Sequence, residues 1–319
     1  PMHHSLTASL PLSRYRIDRD DASRARPGLF DELASDPLSR VIAVWRGEVL
    51  LEAPSVDAAE APALAFLPWG AVPGEAERVY LGRTLADEGE VAAGTAVTAV
   101  LLDDDSGPRL EPDVTRWASP RTLGHRLGDR DAGLAIEALG MANWHATHRF
   151  SPRTGNPTVA ARAGWVRVDV ETGAELFPRT DAAIIVGVTD GDDRLVLGSN
   201  ALWESNRFSL LAGFVEPGES LEAAVVREVH EEAGLHVIDP VYVGSQPWPF
   251  PASLMLGFRA RLDPAHAAAL RPDGTEILDL RWFSRDELAG SLSEVLLPGR
   301  TSIARAIIED WYGGPLDAP

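Results

Sequence analysis

The chain has 319 residues, of which 45% are hydrophobic and 24% are charged, so it is long enough to form two globular domains. Its formal net charge of −19 argues against a broad basic surface for gripping nucleic-acid backbones. The absence of cysteine and lysine excludes disulfides, thiolate metal sites, thiol nucleophiles and Schiff-base chemistry at lysine.

The first half of the chain carries short β-rich runs separated by turn-forming residues. These runs are residues 40–52, 63–69, 78–85 and 95–102, and they predict a small antiparallel sheet. Apolar residues at helical spacing then predict a helix over residues 134–148. Residues 151–172 are rich in turn-formers and separate this half from the next.

The second half predicts a mixed sheet packed between helices. Strands are expected at residues 182–188, 194–198, 208–212, 255–262 and 278–283, and a helix at residues 302–311.

Residues 213–235, GFVEPGESLEAAVVREVHEEAGL, carry the strongest pattern of the sequence. The Pro217-Gly218 pair predicts a turn, and Ser220 can cap the N-terminus of a following helix. Apolar residues recur at helical spacing after this cap, and Gly234 stands where a left-handed residue would end the helix.

Three glutamates are crowded at the end of this predicted helix. Glu228 and Glu232 are four residues apart and share one face, and Glu231 lies a turn away from Glu228. The three carboxylates repel one another, and the helix dipole disfavours negative charge near the C-terminus. A divalent cation would relieve both penalties, and oxygen ligands of this kind suit Mg²⁺ or Mn²⁺.

Residues 245–253, SQPWPFPAS, form a second unusual segment. Three prolines interleaved with Trp248 and Phe250 cannot form a helix or a central strand, so they predict a rigid, extended loop that presents aromatic faces. Taken alone, the segment could equally be a surface loop whose aromatic rings cover the core.

The frame around the glutamates, comprising Gly213, Glu219, Arg227-Glu228, Glu231-Glu232 and Gly234, resembles the box of the Nudix hydrolases. The segment 245–253 resembles the motif of the NADH pyrophosphatase branch, which hydrolyses NAD(H) to nicotinamide mononucleotide and AMP and removes NAD caps from RNA. The resemblance implies an α/β protein whose C-terminal Nudix domain, residues 180–319, is an α/β/α sandwich with a mixed sheet. A smaller N-terminal α/β domain (1–148) and a degenerate zinc-ribbon linker (149–179) are expected before it.

The resemblance also implies the metal ligands and the catalytic group. Two or three Mg²⁺ or Mn²⁺ ions would be held by the Ala212 carbonyl, Glu228, Glu231, Glu232 and Glu276. Either Glu231 or Glu232 would orient or deprotonate the attacking water. Arg227 is expected to pair with Glu219 and brace the loop rather than contact substrate.

The substrate-binding residues implied by the resemblance are Gln246, Pro247, Trp248, Pro249, Phe250, Pro251, Ala252, Ser253, Phe214, Phe177, Ala304 and Arg121. Phe214 is placed to stack on the nicotinamide, opposite Phe177 of a neighbouring subunit in a homodimer. The expected partners are NAD(H) and the 5′ end of NAD-capped RNA. No apolar run reaches the length of a membrane span and no secretory pattern is seen, so we expect a cytoplasmic protein with no membrane partner.

Members of this branch carry a four-cysteine zinc ribbon that ends in a Phe/Tyr-Pro-Arg element, here Phe177-Pro178-Arg179. Alignment on that element and on Trp165 places Ser151, Thr154, Asp169 and Thr172 at the four ligand positions. Hydroxyls and one carboxylate cannot hold structural zinc with useful affinity, so we predict a metal-free remnant of the ribbon and no zinc.

Two alternatives stay open. The first is hydrolysis of ADP-ribose or another ADP-linked metabolite, which the box alone does not separate from NAD(H) hydrolysis. The second is a non-catalytic Nudix-fold nucleotide sensor, although such domains usually lose box carboxylates and this chain keeps all of them.

Overall fold

The computed structural model describes residues 5–55, 61–204 and 206–316, which form two compact units. The N-terminal unit consists of residues 14–180 together with residues 248–252. The C-terminal unit consists of the described residues within 1–13, 181–247 and 253–319. Within the described residues no helix is long and apolar enough to cross a membrane. The predicted division at 148 and 179 stays a prediction.

The N-terminal unit is built around a six-stranded sheet with strand order β1-β4-β5-β2-β3-β6. Its elements are β1 (Ile17–Asp18), α1 (Leu29–Ser35), β2 (Arg40–Trp45), β3 (Glu48–Leu50), β4 (Glu77–Thr84), β5 (Ala96–Leu102), α2 (Ser106–Leu110), β6 (Trp117–Ala118), α3 (Pro120–Leu123) and α4 (Asp129–Thr147).

This sheet is mixed, so the prediction of a small antiparallel sheet is wrong. Strands β2 and β5 pair in parallel, with Val41 opposite Thr98. The β2 residues that follow Arg40 are all buried, because alternate side chains join hydrophobic clusters on the two faces of the sheet. Burial on both faces is typical of parallel strands and produces a continuous apolar run rather than alternation.

The predicted strand at residues 63–69 is also wrong. Leu64 and Leu67 make only isolated bridges, to Leu51 and Val41. Pro68 has no N–H to continue a ladder, which limits the pairing of this segment. The expected helix over residues 134–148 is confirmed as part of the longer α4.

A three-stranded antiparallel sheet follows α4 in the same unit. It consists of β7 (Thr158–Ala161), β8 (Val166–Asp169) and β9 (Glu175–Leu176), in that order. The turn-rich segment predicted here therefore also contains short paired strands.

The C-terminal unit is a second mixed sheet, with order β13-β14-β10-β11-β15 and with β12 paired to β10. Its elements are β10 (Asp181–Thr189), β11 (Leu195–Asn200), β12 (Leu211–Phe214), α5 (Leu221–Ala233), β13 (Val237–Trp248), β14 (Ser253–Leu262), β15 (Ile277–Phe283), α6 (Arg285–Gly290) and α7 (Ile303–Tyr312).

Helices α5 and α7 cover opposite faces of this sheet. Ile184 and Val186 of β10 join a core cluster with Val225 of α5. Ile185, which points to the other face, joins a cluster with Ile307 of α7. The predicted α/β/α layering with a mixed sheet is confirmed.

The segment 245–253 is only partly the loop that its prolines predict. Strand β13 continues to Trp248, and only residues 249–252 form a turn before β14. Because β13 lies at the edge of the sheet, the missing N–H of Pro247 is tolerated there.

Candidate active site

Helix α5 begins and ends where the sequence predicts. The Ser220 hydroxyl accepts a hydrogen bond from the Ala223 N–H at 3.1 Å. Gly234 adopts φ 68° and donates its N–H to the His230 carbonyl at 2.9 Å. The apolar face packs into the core of the unit, so the box glutamates are presented on the remaining faces.

The Arg227 guanidinium is the centre of an ion-pair network. It makes a bidentate pair with Glu219, both distances being 2.8 Å, which confirms the predicted brace. It also donates to the Phe214 carbonyl at 3.0 Å, to Glu228 at 2.9 Å and to Glu231 at 3.0 Å. The hydrogen bonds from Arg227 lower the pKa of Glu219 to about 2, so this carboxylate stays ionised.

The Glu232 carboxyl is the buried member of the group. The residue is 6% exposed, and its Oε2 has no hydrogen-bond partner within the described protein. The pKa of Glu232 is raised to about 8, mainly by burial and to a smaller extent by the negative charges of Glu228 and Glu276. Burial also raises the pKa of Glu228. The carboxyls of Glu232, Glu228 and Glu276 therefore lie close enough to repel one another when ionised.

Gly213 allows the Glu228 carboxylate to approach the backbone of β12. A Cβ built on Gly213 would lie only 2.0 Å from the Glu228 carboxyl. The glycine at position 213 thus has a steric reason, because no larger residue leaves room for the Glu228 carboxyl where it stands.

Glu276 stands on a loop that a neighbouring aspartate shapes. The Asp273 carboxylate accepts hydrogen bonds from the backbone N–H groups of Thr275, Glu276 and Ile277, at 2.8–3.2 Å. The Glu276 side chain is exposed and contributes to the raised pKa of Glu232. Sequence reasoning missed Asp273, although an Asx turn just before β15 is a recognisable signal.

These groups fit a divalent cation chemically. A buried carboxylate oxygen without a hydrogen-bond partner, close enough to two further carboxylates to feel their charge, offers the oxygen ligands that Mg²⁺ or Mn²⁺ accepts. Among the described residues no three His, Asp or Glu side chains are arranged so that they could jointly hold one ion as they stand. Assignment of Ala212, Glu228, Glu231, Glu232 and Glu276 as ligands stays a prediction.

The two aromatic rings of the segment 245–253 belong to the N-terminal unit. Trp248 and Phe250 are half-buried and meet edge to face, with ring centroids 4.9 Å apart. The Arg121 guanidinium lies 5.8 Å from the Trp248 ring centroid and 5.9 Å from that of Phe250. The structure therefore brings Arg121 together with these rings, and the assignment of all three residues to substrate binding stays a prediction.

Other predicted substrate-binding residues differ in accessibility. Phe177 in the N-terminal unit and Phe214 in the C-terminal unit are each 60% exposed, which suits a stacking role. Ala304 is buried, and Gln246 is fully buried with its amide bonded to the Leu12 N–H and the Thr301 carbonyl. This geometry gives Gln246 a packing role and lends no support to its predicted contact with substrate.

Three of the four predicted ribbon positions, Thr154, Asp169 and Thr172, share one hydrogen-bond cluster. Asp169, 1% exposed, accepts bonds from the Thr154 hydroxyl at 2.5 Å, the Asn156 amide at 3.1 Å and the Thr172 N–H at 3.0 Å. The bond from Thr154 is the main cause that holds the pKa of Asp169 well below its usual range. Ser151 is buried, and its carbonyl accepts the Gly155 N–H at 2.9 Å.

Comparison with known proteins identifies the class. A NUDIX domain model matches residues 178–307, and a model of the NADH pyrophosphatase-like rudimentary NUDIX domain matches residues 38–144. Together these matches describe a Nudix hydrolase in which a rudimentary Nudix domain precedes the one that carries the box. The sequence did not reveal that the N-terminal domain is of the same type.

Relatives narrow the class further. The chain is 44% identical over 309 residues to the NAD-capped RNA hydrolase NudC of Mycobacterium bovis (strain BCG / Pasteur 1173P2), covering 93% of this chain and 90% of that protein. NudC of Mycobacterium tuberculosis (strain ATCC 25618 / H37Rv) matches to the same extent. NudC of Stutzerimonas stutzeri (strain A1501) is 40% identical over 204 residues, covering 64% of this chain and 70% of that protein. The chain therefore belongs to the Nudix hydrolases, in the family that contains NudC.

Proposed function

We propose that this protein hydrolyses the pyrophosphate bond of NAD(H), giving nicotinamide mononucleotide and AMP, and removes NAD caps from RNA. The observation that carries the proposal is the complete box, in which the Glu232 carboxyl is buried and is subject to the negative charges of Glu228 and Glu276. The relatives named as NAD-capped RNA hydrolases support the same substrate class.

Nudix hydrolases generally use divalent metals, and for this chain we propose two or three Mg²⁺ or Mn²⁺ ions held by the Ala212 carbonyl, Glu228, Glu231, Glu232 and Glu276. Bound at these residues, the ions would neutralise the charge of the pyrophosphate and lower the pKa of the attacking water. Glu231 or Glu232 would accept the proton of that water, and Arg227 holds the Glu219 loop against α5.

The Trp248 and Phe250 rings, which meet edge to face, each offer a flat apolar face to a base or to nicotinamide, since planar rings gain from stacking. Phe214 and Phe177 are proposed as further ring contacts, from the two subunits of a homodimer. The cytoplasmic location and the dimer stay predictions.

The test is product analysis with NADH in the presence of each metal. We expect nicotinamide mononucleotide and AMP, and a fall in kcat of about 10²-fold or more for Glu232→Gln with the fold retained. Glu222→Gln is the matched control, because Glu222 is exposed in the first turn of the same helix. Near-normal turnover by Glu232→Gln would refute the metal-site assignment.

Two other results would favour a different function. Cleavage of ADP-ribose but not of NADH would favour an ADP-linked metabolite as substrate. Binding of the nucleotides with no cleavage under either metal would favour the nucleotide sensor.

We also propose that the protein holds no zinc, and this proposal is tested separately. The Asp169 cluster binds the turns at Thr154 and Thr172 through hydrogen bonds, in the place of the ribbon ligands. Elemental analysis of the purified protein should give no stoichiometric zinc. One tightly held zinc per chain would overturn this proposal without affecting the assignment of the hydrolase site.

A further inference from the structure

A single amide side chain holds the backbone of the aromatic turn, residues 248–252. The Asn143 amide, on α4, donates one hydrogen bond to the Pro249 carbonyl at 2.8 Å and one to the Pro251 carbonyl at 3.0 Å. Both N–H groups of the amide are thereby used, and they fix two carbonyls on either side of Phe250. These contacts lie within the N-terminal unit, which includes the turn.

The aromatic turn packs against the surface of α4. Gly140 lies one helical turn before Asn143, and a Cβ built on it would lie 3.7 Å from the Pro249 Cβ. Pro249 is buried, and Phe250 packs against the hydrophobic cluster to which α4 contributes Leu139. The turn is thus seated by apolar packing as well as by the Asn143 amide.

Arg121 supports the aromatic pair from the same unit. Its guanidinium lies within 6 Å of both ring centroids, 5.8 Å for Trp248 and 5.9 Å for Phe250, which is within the range of a cation–π contact. The amide therefore fixes the backbone of the turn, and the guanidinium contacts the faces of its rings.

We propose that helix α4 of the rudimentary Nudix domain positions the aromatic turn for substrate, with Asn143 as the positioning residue. This inference rests on the proposed NAD(H) hydrolysis, and it gives the N-terminal domain a specific part in that reaction. A prolyl-rich turn has few conformations to lose, so fixing two of its carbonyls sets the direction in which the Trp248 ring is presented.

The experiment compares Asn143→Asp, Asn143→Gln and Trp248→Ala in the full-length protein with bound metal. An aspartate carboxylate cannot donate to the two carbonyls and repels them, so Asn143→Asp should raise KM for NADH about fivefold or more. Its effect on kcat should be smaller, because no box residue is altered. Asn143→Gln keeps a primary amide and should recover part of the loss.

Thr147→Ala is the matched control, since Thr147 is exposed one turn further along α4 and bonds to carbonyls of its own helix. ADP-ribose, which lacks the nicotinamide, serves as the second substrate. Asn143→Asp should change the ratio of kcat/KM for NADH and ADP-ribose in the same direction as Trp248→Ala does. This shared substrate profile is a readout that a general loss of stability would not reproduce.

The outcomes separate this inference from the function on which it rests. If the unsubstituted protein does not cleave NADH, the proposed function fails first. If it cleaves NADH and Trp248→Ala is impaired while Asn143→Asp behaves like Thr147→Ala, the positioning role of Asn143 is overturned. Should Asn143→Asp not fold, Asn143→Ala, which removes both donors without adding charge, decides: a raised KM with unchanged kcat supports the proposal, and unchanged values of both refute it.

Discussion

Gly213 shows how one missing side chain sets the position of the Glu228 carboxyl, which we propose as a metal ligand. Because a Cβ at this residue would lie 2.0 Å from the Glu228 carboxyl, Gly213→Ala must displace that carboxyl. The displaced atoms are the end of a flexible side chain, so the fold should tolerate the change. We expect kcat to fall at least tenfold with little change in the thermal unfolding midpoint.

Gly191→Ala is the control for this substitution, because nothing lies within 4 Å of a Cβ built there and its φ is not in the left-handed region. Steady-state kinetics and a thermal unfolding scan on both variants provide the measurement. Equal kcat values for the two variants would show that the close approach of Glu228 to β12 is not needed for turnover.

Residues that act within one local segment could be predicted from the sequence. The Ser220 cap, the Gly234 cap and the Arg227–Glu219 pair all follow from spacings of at most eight residues, and all are present. Asn143 could not be found in this way, because its partners are 106 and 108 residues distant in the chain. A lone asparagine on a helix carries no local pattern, and only the tertiary fold gives it a role.

At the scale of elements, strands were harder to predict than the long helices. The helical repeat identified α4 and α7, since their apolar faces are marked by several residues each. The parallel pairing of β2 with β5 was missed because two β-rich runs do not reveal which neighbour each will find. The edge position of β13 was missed for the same reason, although it explains why Pro247 can lie in a strand.

Helix α4 also buries an acid that should make stability depend on pH. The Glu137 side chain is 3% exposed, and its Oε1 lies 3.3 Å from Arg19 Nη1, an ion pair without hydrogen-bond geometry. Burial raises the pKa of Glu137 to about 7, although Arg19 and Arg24 oppose this shift. The folded state therefore binds this proton more tightly than the unfolded state, in which the pKa of the carboxyl is near its ordinary value of 4.5.

The stabilising contribution of this proton is fully present below pH 4.5 and is lost as the pH rises through about 7. Glu137→Gln, which is neutral at every pH, should thus increase the free energy of unfolding by about 1–3 kcal/mol at pH 8 and by much less at pH 4.5. Denaturant unfolding at the two pH values measures the difference. The control is Glu171→Gln at an exposed position, which should change the free energy of unfolding little at either pH. An equal increase for Glu137→Gln at pH 4.5 and pH 8 would contradict the raised pKa of Glu137.

At the scale of the whole molecule, the net charge of −19 bears on how a capped RNA is recognised. A protein that makes 6–10 phosphate contacts loses about 10³–10⁵ in affinity between 50 and 200 mM salt, because counterions are released on binding. This chain repels the RNA backbone at long range, so its affinity must come from the NAD cap and the few nucleotides beside it. The preference of the protein among its substrates is then set by the aromatic turn and the box rather than by the length of the RNA.

We therefore expect kcat/KM for NAD-capped RNA to fall by less than about threefold between 50 and 200 mM monovalent salt at fixed divalent metal. NADH measured in parallel corrects for any effect of salt on the chemical step or on metal binding. An increase of kcat/KM for capped RNA with salt would also agree with this expectation, since screening weakens the repulsion between the acidic protein and the phosphates. A fall of a hundredfold or more for capped RNA alone would show that a local cluster of arginines grips the backbone despite the overall charge. In that case recognition would extend beyond the cap, and shortening the RNA should weaken kcat/KM in step with the phosphates removed.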